Sequence, residues 1–349
     1  MATESRYARP TDEAEWKIAG QFDTVFKWEY TDGRDALTTL YEKGKTQQWN
    51  ANTRIDWSQD LDPENPQELP DESITIFGSD VWNKLTRRER ADVRRHAQAW
   101  QLSQFLHGEQ GALVCTAKIV QQVPNVDAKY YAATQVMDEA RHVETYSRLL
   151  HEKFELAYPI TPTLRRLLND VLSDSRWDIT YLGMQVLIEG LALAAFASIR
   201  DQAKNSLAAS VNAYVMQDEA RHVAFGRLAL RDYYPHLTQA ERDEREEFAV
   251  EACYLMRDRF LAEEVWETLG LPVEECVRFV DASQEIRAFR SRLFTRIVPT
   301  IKAIGLWGPK IRRAYANMGI LGFADVDADA IMREDERVAA EFDRRRAGN

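Results

Sequence analysis

The chain has 349 residues, 45% apolar and 29% charged, with only 15 glycines and 11 prolines, a balance that suits a large core of long helices and argues against low-complexity sequence. Its formal charge of −11, from 45 basic against 56 acidic residues, argues against the basic face of a nucleic-acid-binding protein. Three scattered cysteines without a Cys-x-x-Cys, a polar N-terminus without a signal core, and the lack of an uncharged apolar run of about 18 residues point to reduced thiols, no membrane span and a cytoplasmic location.

Residues 1–85 read as an N-terminal segment lying on a helical core. Trp28, Trp49 and Trp57 punctuate a polar stretch and are expected to pack inward, and three prolines break up residues 61–73. One early helix is expected near 34–48. From Thr86 the pattern becomes helical. Thr86-Arg-Arg-Glu89 is a capping-box start for a helix running to about Gln122, stopped by Pro124. A second helix is expected from Val126 to about Phe154, a short one near 163–173, and two long ones over Ser175–Ala203 and Asn205–Tyr233. Helix pair, connector, helix pair predicts an all-α four-helix bundle over 86–235. Residues 236–349 read as a helical extension of the same domain. Thr238-Gln-Ala-Glu241 opens a helix of about 30 residues, and Pro272 breaks it. Further helices are expected near 273–281, 283–304 and 308–318, then a mixed-charge tail.

Six residues form two matching triplets. Glu109, Glu139 and His142 repeat 80 positions later as Glu189, Glu219 and His222, and the last two of each triplet lie in the same hexapeptide, Asp-Glu-Ala-Arg-His-Val, at 138–143 and 218–223. Residues three apart share one side of a helix, so each Glu-x-x-His points two donors the same way. Four carboxylates and two imidazoles suit a pair of iron or manganese ions better than a thiophilic metal. An internal duplication kept only for packing would not need carboxylates on apolar helix faces. Asp138 and Asp218, four residues before each His, are candidate acceptors for the second nitrogen of a ligating imidazole, on the same helix or in the other half. Glycines beside Glu109 and Glu189 either open space at the carboxylates or permit close helix packing. Phe105, Leu113, Thr116, Leu193, Phe196 and Phe225, one or two turns from ligands, are candidate walls for a partly apolar substrate.

These motifs resemble the ferritin-like carboxylate-bridged di-iron superfamily, in particular its oxygen-activating branch: the ribonucleotide reductase small subunit, bacterial multicomponent monooxygenase hydroxylases and acyl-carrier-protein desaturases. The likeness covers roughly residues 86–235. It implies a ferritin-like bundle with added N- and C-terminal helices. One iron would be held by Glu109, Glu139 and His142, the other by Glu189, Glu219 and His222, with Mn/Fe as the alternative to Fe/Fe. It also implies that the reduced pair activates O2 to hydroxylate, desaturate or N-oxygenate a small molecule. With no flavin or iron–sulfur motif in the chain, electrons would come from a ferredoxin or a flavin reductase; long amphipathic helices allow a homodimer. There are departures. Glu109 stands where reductase subunits keep Asp. Leu191, Ala192 and Leu193 replace the region of a proton-delivering Thr. Val215 stands where di-iron arylamine N-oxygenases place a seventh, histidine ligand. Tyr146, one turn after His142, falls where the reductase subunit keeps its radical tyrosine and is the candidate redox residue. Iron storage and a non-catalytic, metal-stabilised scaffold are the alternatives to catalysis.

Overall fold

The computed structural model describes residues 8, 22–26 and 35–347. Trp28 lies outside the described residues. The early helix is α1, Asp35–Thr46. Four long helices follow: α2 (Arg87–Gln122), α3 (Val126–Arg148), α5 (Trp177–Gln202) and α6 (Ser206–Tyr233), with the shorter α4 (Pro162–Ser173) crossing between the two pairs. α2 packs along α3 and α5 along α6, and α3 meets α6 across the middle, which closes the bundle. α1 lies over α3 and α6.

The local reasons for these limits are legible. Thr86 and Thr238 each accept from the backbone three residues on, and Glu89 and Glu241 return the bond to the cap residue, which satisfies amides that a helix start leaves free. Asn125, Thr161 and Asn205 cap α3, α4 and α6 in the same one-sided way. α5 is long and apolar enough to cross a membrane, with mean hydropathy 1.8 over its best window, but 78% of that window is buried inside the bundle, which marks it as the core helix. Residues Leu182–Ile188 of α5 are wound as a π-helix, ending where Glu189 begins. A π turn rotates the following residues relative to a regular helix, so it sets the direction in which Glu189 points.

Three expectations fail beyond the bundle, one being the helix near 283–304, which is two helices, Gln284–Arg292 and Ile297–Ala303, separated by a turn at 293–296. The helix opened by Thr238 is α7, Gln239–Asp258, 20 residues long, and a turn at 259–262 interrupts it before a short helix, Glu263–Thr268. Ala262 has φ 53°, a left-handed conformation that a residue with a side chain adopts at a cost, and a helix does not run through it. The mixed-charge tail is also a helix, α8 (Ala328–Ala347), docked against α6. Its anchor is Asp335, 2% exposed, which takes Arg200 Nη1 at 3.0 Å and Arg296 Nη1 at 2.6 Å. A buried acid between two guanidiniums in a polar run is not visible as hydrophobic periodicity.

The capping boxes yield a direct test. Thr86→Ala removes one side-chain acceptor at the start of α2 and is expected to lower stability by about 1 kcal/mol. The midpoint of denaturant unfolding measures it, and an unchanged midpoint would show that the cap contributes nothing.

Candidate metal centre

Each bundle helix contributes to one buried cluster: Glu109 from α2, Glu139 and His142 from α3, Glu189 from α5, Glu219 and His222 from α6. None of the six is more than 5% exposed. Their donor atoms form two overlapping groups, Glu109–Glu139–His142–Glu219 and Glu139–Glu189–Glu219–His222, each with all its donors within 4.8 Å of one another. Glu139 and Glu219 belong to both groups. The two groups do not coincide with the two triplets: the second glutamate of each half belongs to both groups, and the lone Glu and the His of each half to one. His142 Nδ1 lies 3.0 Å from Glu219 Oε1 and 3.2 Å from Glu109 Oε2, and His222 Nδ1 lies 3.0 Å from Glu139 Oε1.

The cluster carries unsatisfied atoms. Glu139 Oε2, Glu189 Oε2, both oxygens of Glu219 and His222 Nδ1 are buried and make no hydrogen bond. Buried polar atoms without partners are costly, and so many acceptors facing one another fit cations. The titration behaviour agrees. Burial, then the neighbouring Glu219, pushes Glu109 up to about 8, and burial with Glu219 and Glu139 pushes Glu189 well above the carboxylate range. Burial opposes charge on His142, yet Asp218 and the surrounding glutamates hold its pKa well above the ordinary value. Against the same burial cost, Glu219 and Glu139 do this for His222. Without cations the cluster offsets its own charge with protons, and two divalent ions would displace them.

The far nitrogens of the imidazoles cross between halves. His142 Nε2 faces Asp218 Oδ2 at 3.1 Å, and His222 Nε2 faces Asp138 Oδ2 at 3.2 Å. Of the two arrangements open to Asp138 and Asp218, the structure has the one in which each serves the other half. The arginines of the repeated hexapeptide, unassigned from sequence, hold these acids in place. Arg141 Nη2 donates to Asp138 at 2.5 Å and Asp218 at 2.8 Å, and Arg221 Nη2 to Asp218 at 2.5 Å and Asp138 at 3.3 Å. Three consecutive residues after α1 complete this layer. Gln47 accepts from Arg221, Gln48 donates to Asp138 and accepts from Arg141, and Trp49 Nε1 donates to Asp218 Oδ2, each at 2.7 Å. The hexapeptide's identity extends to its Arg, which was a usable signal; nothing near Gln47 announced its role.

Gln135 was also missed. It is fully buried and donates to Glu139 Oε1 at 2.9 Å and Glu189 Oε1 at 3.2 Å, tying the two halves together. By the 80-residue offset it is the counterpart of Val215, which is apolar and fully buried. Tyr146 is buried against Phe105 and Phe196, and its hydroxyl donates to Asn212 Oδ1 at 3.1 Å rather than to any of the six.

A cavity opens on Glu109, Glu189 and Glu219, with Phe105 and Phe196 on its wall as expected. Leu113, Thr116, Leu193 and Phe225 are not on that wall. On α2 the wall is formed by Gln104, Phe105, Gly108, Glu109 and Ala112, whereas Leu113, next to Ala112, stands on another side of the helix and is half-buried, and Thr116 is fully buried a turn beyond the wall. Leu193 is core, and Phe225 stacks between Tyr131 and Tyr181. The glycine alternatives also resolve. A side chain at Gly111 would meet Leu168 at 2.4 Å and one at Gly190 would meet Ile297 at 3.0 Å, so both serve close packing; only Gly108 faces open space, on the cavity wall.

A family model described as "P-aminobenzoate N-oxygenase AurF" matches residues 31–305, well over half of the chain. The chain belongs to the AurF family. No curated protein matches. Among solved structures, an aldehyde deformylating oxidase from Synechococcus is 17% identical with TM-score 0.47, covering 64% of this chain and 96% of its own. A variant of an R2-like ligand-binding oxidase reconstituted anaerobically with Mn/Fe is 18% identical with TM-score 0.48, covering 79% and 96%. Likenesses this distant carry no weight for the chemistry. As an AurF-family member the chain is a di-metal, O2-using oxidase acting on a small molecule. Membership stands although Val215 supplies no seventh ligand.

Two outcomes test the cluster. Asp138→Asn and Asp218→Asn, which leave shape intact, are each expected to lower metal affinity about 10–100-fold in chelator competition; unchanged affinity would deny the crossed contacts a role. Glu109, with its pKa pushed up to about 8, must lose its proton to bind a cation, so metal uptake is expected to weaken as pH falls below that value. Uptake that is equal at pH 6 and pH 9 would contradict this.

Proposed function

We propose that Glu109, Glu139, His142, Glu189, Glu219 and His222 hold two iron ions, with Mn/Fe as the alternative pair, and that the chain uses O2 to oxidise the nitrogen of a small, partly apolar amine. The observation that carries the reading is the sharing of Glu139 and Glu219 between two groups of donors at the closed end of an apolar cavity. The AurF family's N-oxygenase description favours nitrogen over carbon as the atom attacked.

Bound by these residues, a reduced iron pair supplies the electrons and Lewis acidity for O2 reduction and the oxidant for the amine. The chain's own part is to prepare the place. The shared glutamates keep two positions adjacent. The crossed contacts from Asp138 and Asp218 fix both imidazoles with Nδ1 inward, and Arg141 and Arg221 hold those aspartates in position. Gln135 restrains Glu139 and Glu189 from one side, so these carboxylates are oriented before a cation arrives. Phe105, Phe196, Leu191 and Ala192 line the approach with apolar surface that excludes water and fits a ring or short chain. Tyr146, held on Asn212 beside that wall, is the candidate for supplying or accepting an electron.

Two electrons per turnover are expected from a separate ferredoxin or flavin reductase, in the cytoplasm, and a homodimer is the expected assembly. The test is turnover of arylamines by the reduced, iron-loaded protein. O2 uptake with an N-oxygenated product supports the proposal. Iron oxidation without any organic product would assign the site to iron handling instead. Tyr146→Phe is expected to leave iron content intact while slowing turnover about tenfold or more, in line with loss of a positioned proton or electron relay. Unchanged turnover would remove the tyrosine from the mechanism.

A further inference from the structure

A row of aromatic rings runs from the cluster of carboxylates to the surface. The ring centroids of Tyr131 on α3 and Phe225 on α6 are 4.4 Å apart, those of Phe225 and Tyr181 on α5 5.0 Å, those of Tyr181 and Trp177 5.5 Å, and those of Trp177 and Tyr233 4.6 Å. At the inner end, Tyr131 lies one turn before Gln135, which donates to Glu139 and Glu189, and Phe225 lies one turn after His222. Tyr131, Phe225 and Tyr181 are fully buried, while Trp177 and Tyr233 are half-buried and reach the surface. From Glu189 back to Trp177 α5 covers about 18 Å, so the row spans the distance from the ligands to water. None of the five residues lines the cavity at Glu109, Glu189 and Glu219.

Packing alone does not account for the row. The Tyr131 hydroxyl is buried and makes no hydrogen bond, a cost that phenylalanine at the same position would avoid. Nor is the ring pair beside the cluster a product of the repeat: by the 80-residue offset, the counterparts of Tyr131 and Phe225 are Val211 and Thr145.

Rings in contact carry an electron in short steps where one long jump is slow. Among ring-bearing side chains, Trp and Tyr give up an electron to a strong oxidant, whereas Phe only conducts it. Two other such residues stand near the cluster, and neither leads outward as well. Tyr146 packs on Phe105 and Phe196, which hold no charge of their own. Trp49 donates to Asp218, but its ring lies 4.7 Å from the Arg141 guanidinium and 5.5 Å from that of Arg54, and cations over an indole oppose a positive hole in it.

We propose that this row releases oxidising equivalents: when O2 has been reduced and no amine is bound, an electron from Trp177 crosses the rings of Tyr181, Phe225 and Tyr131 to the oxidised metal pair. This rests on the oxidase reading of the cluster. The indole is left as a radical cation. Tyr233 refills it with one electron and gives its phenolic proton to water, which its half-exposed position allows. An external reductant of the ascorbate or thiol class then returns one electron, water returns one proton, and the phenol is restored. Tyr131 serves as a bridge rather than a resting place for the hole, because its buried hydroxyl has no acceptor for the proton. The activity added to amine oxidation is a slow oxidation of small reductants at the surface, which spares the metal-binding residues.

The test mixes the reduced, iron-loaded full chain with O2 in the absence of any amine. Freeze-quench electron paramagnetic resonance reads organic radicals, and peptide mass spectrometry after repeated cycles reads where oxidation has settled. Wild type is expected to show an aromatic radical, with hydroxylated or ring-opened products at Trp177 and Tyr233. Tyr233→Phe is expected to leave the radical on Trp177, recognised by narrowing of the signal when the indole is deuterated. Trp177→Phe is expected to lower the radical yield severalfold and to move oxidation onto Tyr131 and the metal-binding residues, with iron lost in fewer cycles. Both variants are expected to keep the wild-type iron content and the wild-type initial rate with amine present, since neither residue belongs to the cluster or the cavity wall. O2 uptake that leaves no radical and no oxidised residue in wild type, wild-type oxidation concentrated on Trp49 or Tyr146, or an unchanged pattern in Trp177→Phe would overturn the row and leave the oxidase reading standing. No O2 uptake by the reduced wild type would sink both.

Discussion

Four carboxylates buried together in an apolar bundle are the constraint around which the rest of the chain is arranged. In that setting like charges repel strongly and water cannot offset them. The protein supplies only part of the compensation. Gln135 donates to two of the glutamates and the imidazoles face the others, but both oxygens of Glu219 stay without a hydrogen bond. Such a cluster is stable with protons or with cations, and its geometry, two donor groups sharing two members, fits a cation pair.

The layer behind the cluster shows the same economy. Asp138, Asp218, Arg141 and Arg221 form a buried square of alternating charge, each aspartate accepting from both guanidiniums while also facing an imidazole of the other half. Burying charge in this way does not by itself favour folding, because desolvation offsets the attraction. What it secures is direction: with the acids held, each imidazole has one ring orientation. The two halves of the duplication therefore depend on each other at the imidazoles, through the crossed aspartates, as well as at the shared glutamates. The segment from Gln47 to Trp49 covers the square and ties the N-terminal region to the centre, which gives that region a role beyond packing.

Much of this was legible in the sequence because it repeats. The bundle helices carry clear start and stop signals, and the offset of 80 between identical hexapeptides singles out Glu139, His142, Glu219 and His222 with hardly any competing choice. What escaped was whatever depends on one residue meeting another far along the chain. Gln48 reaches Asp138 and Trp49 reaches Asp218 across more than 80 positions, and no local pattern marks them. Of six wall candidates only Phe105 and Phe196 line the cavity, because distance in turns from a ligand does not say which side of a helix faces the space. The turn at Arg259 was hidden because the residues around it have good helical periodicity, and the break comes from a backbone conformation at Ala262 that alanine does not advertise. α8 was read as a tail because its run is mostly charged: Asp335 anchors it through ion pairs, and few apolar side chains, Ala339 and Phe342 among them, pack inward.

The central claim is that the six donors hold two cations per chain, at positions sharing Glu139 and Glu219. Native mass spectrometry of protein reconstituted with ferrous iron under anaerobic conditions measures this most directly. The account predicts two iron ions per chain in the wild type and loss of both from Glu139→Ala or Glu219→Ala. A wild type that binds no iron, or a variant at either shared glutamate that keeps both ions, would contradict it.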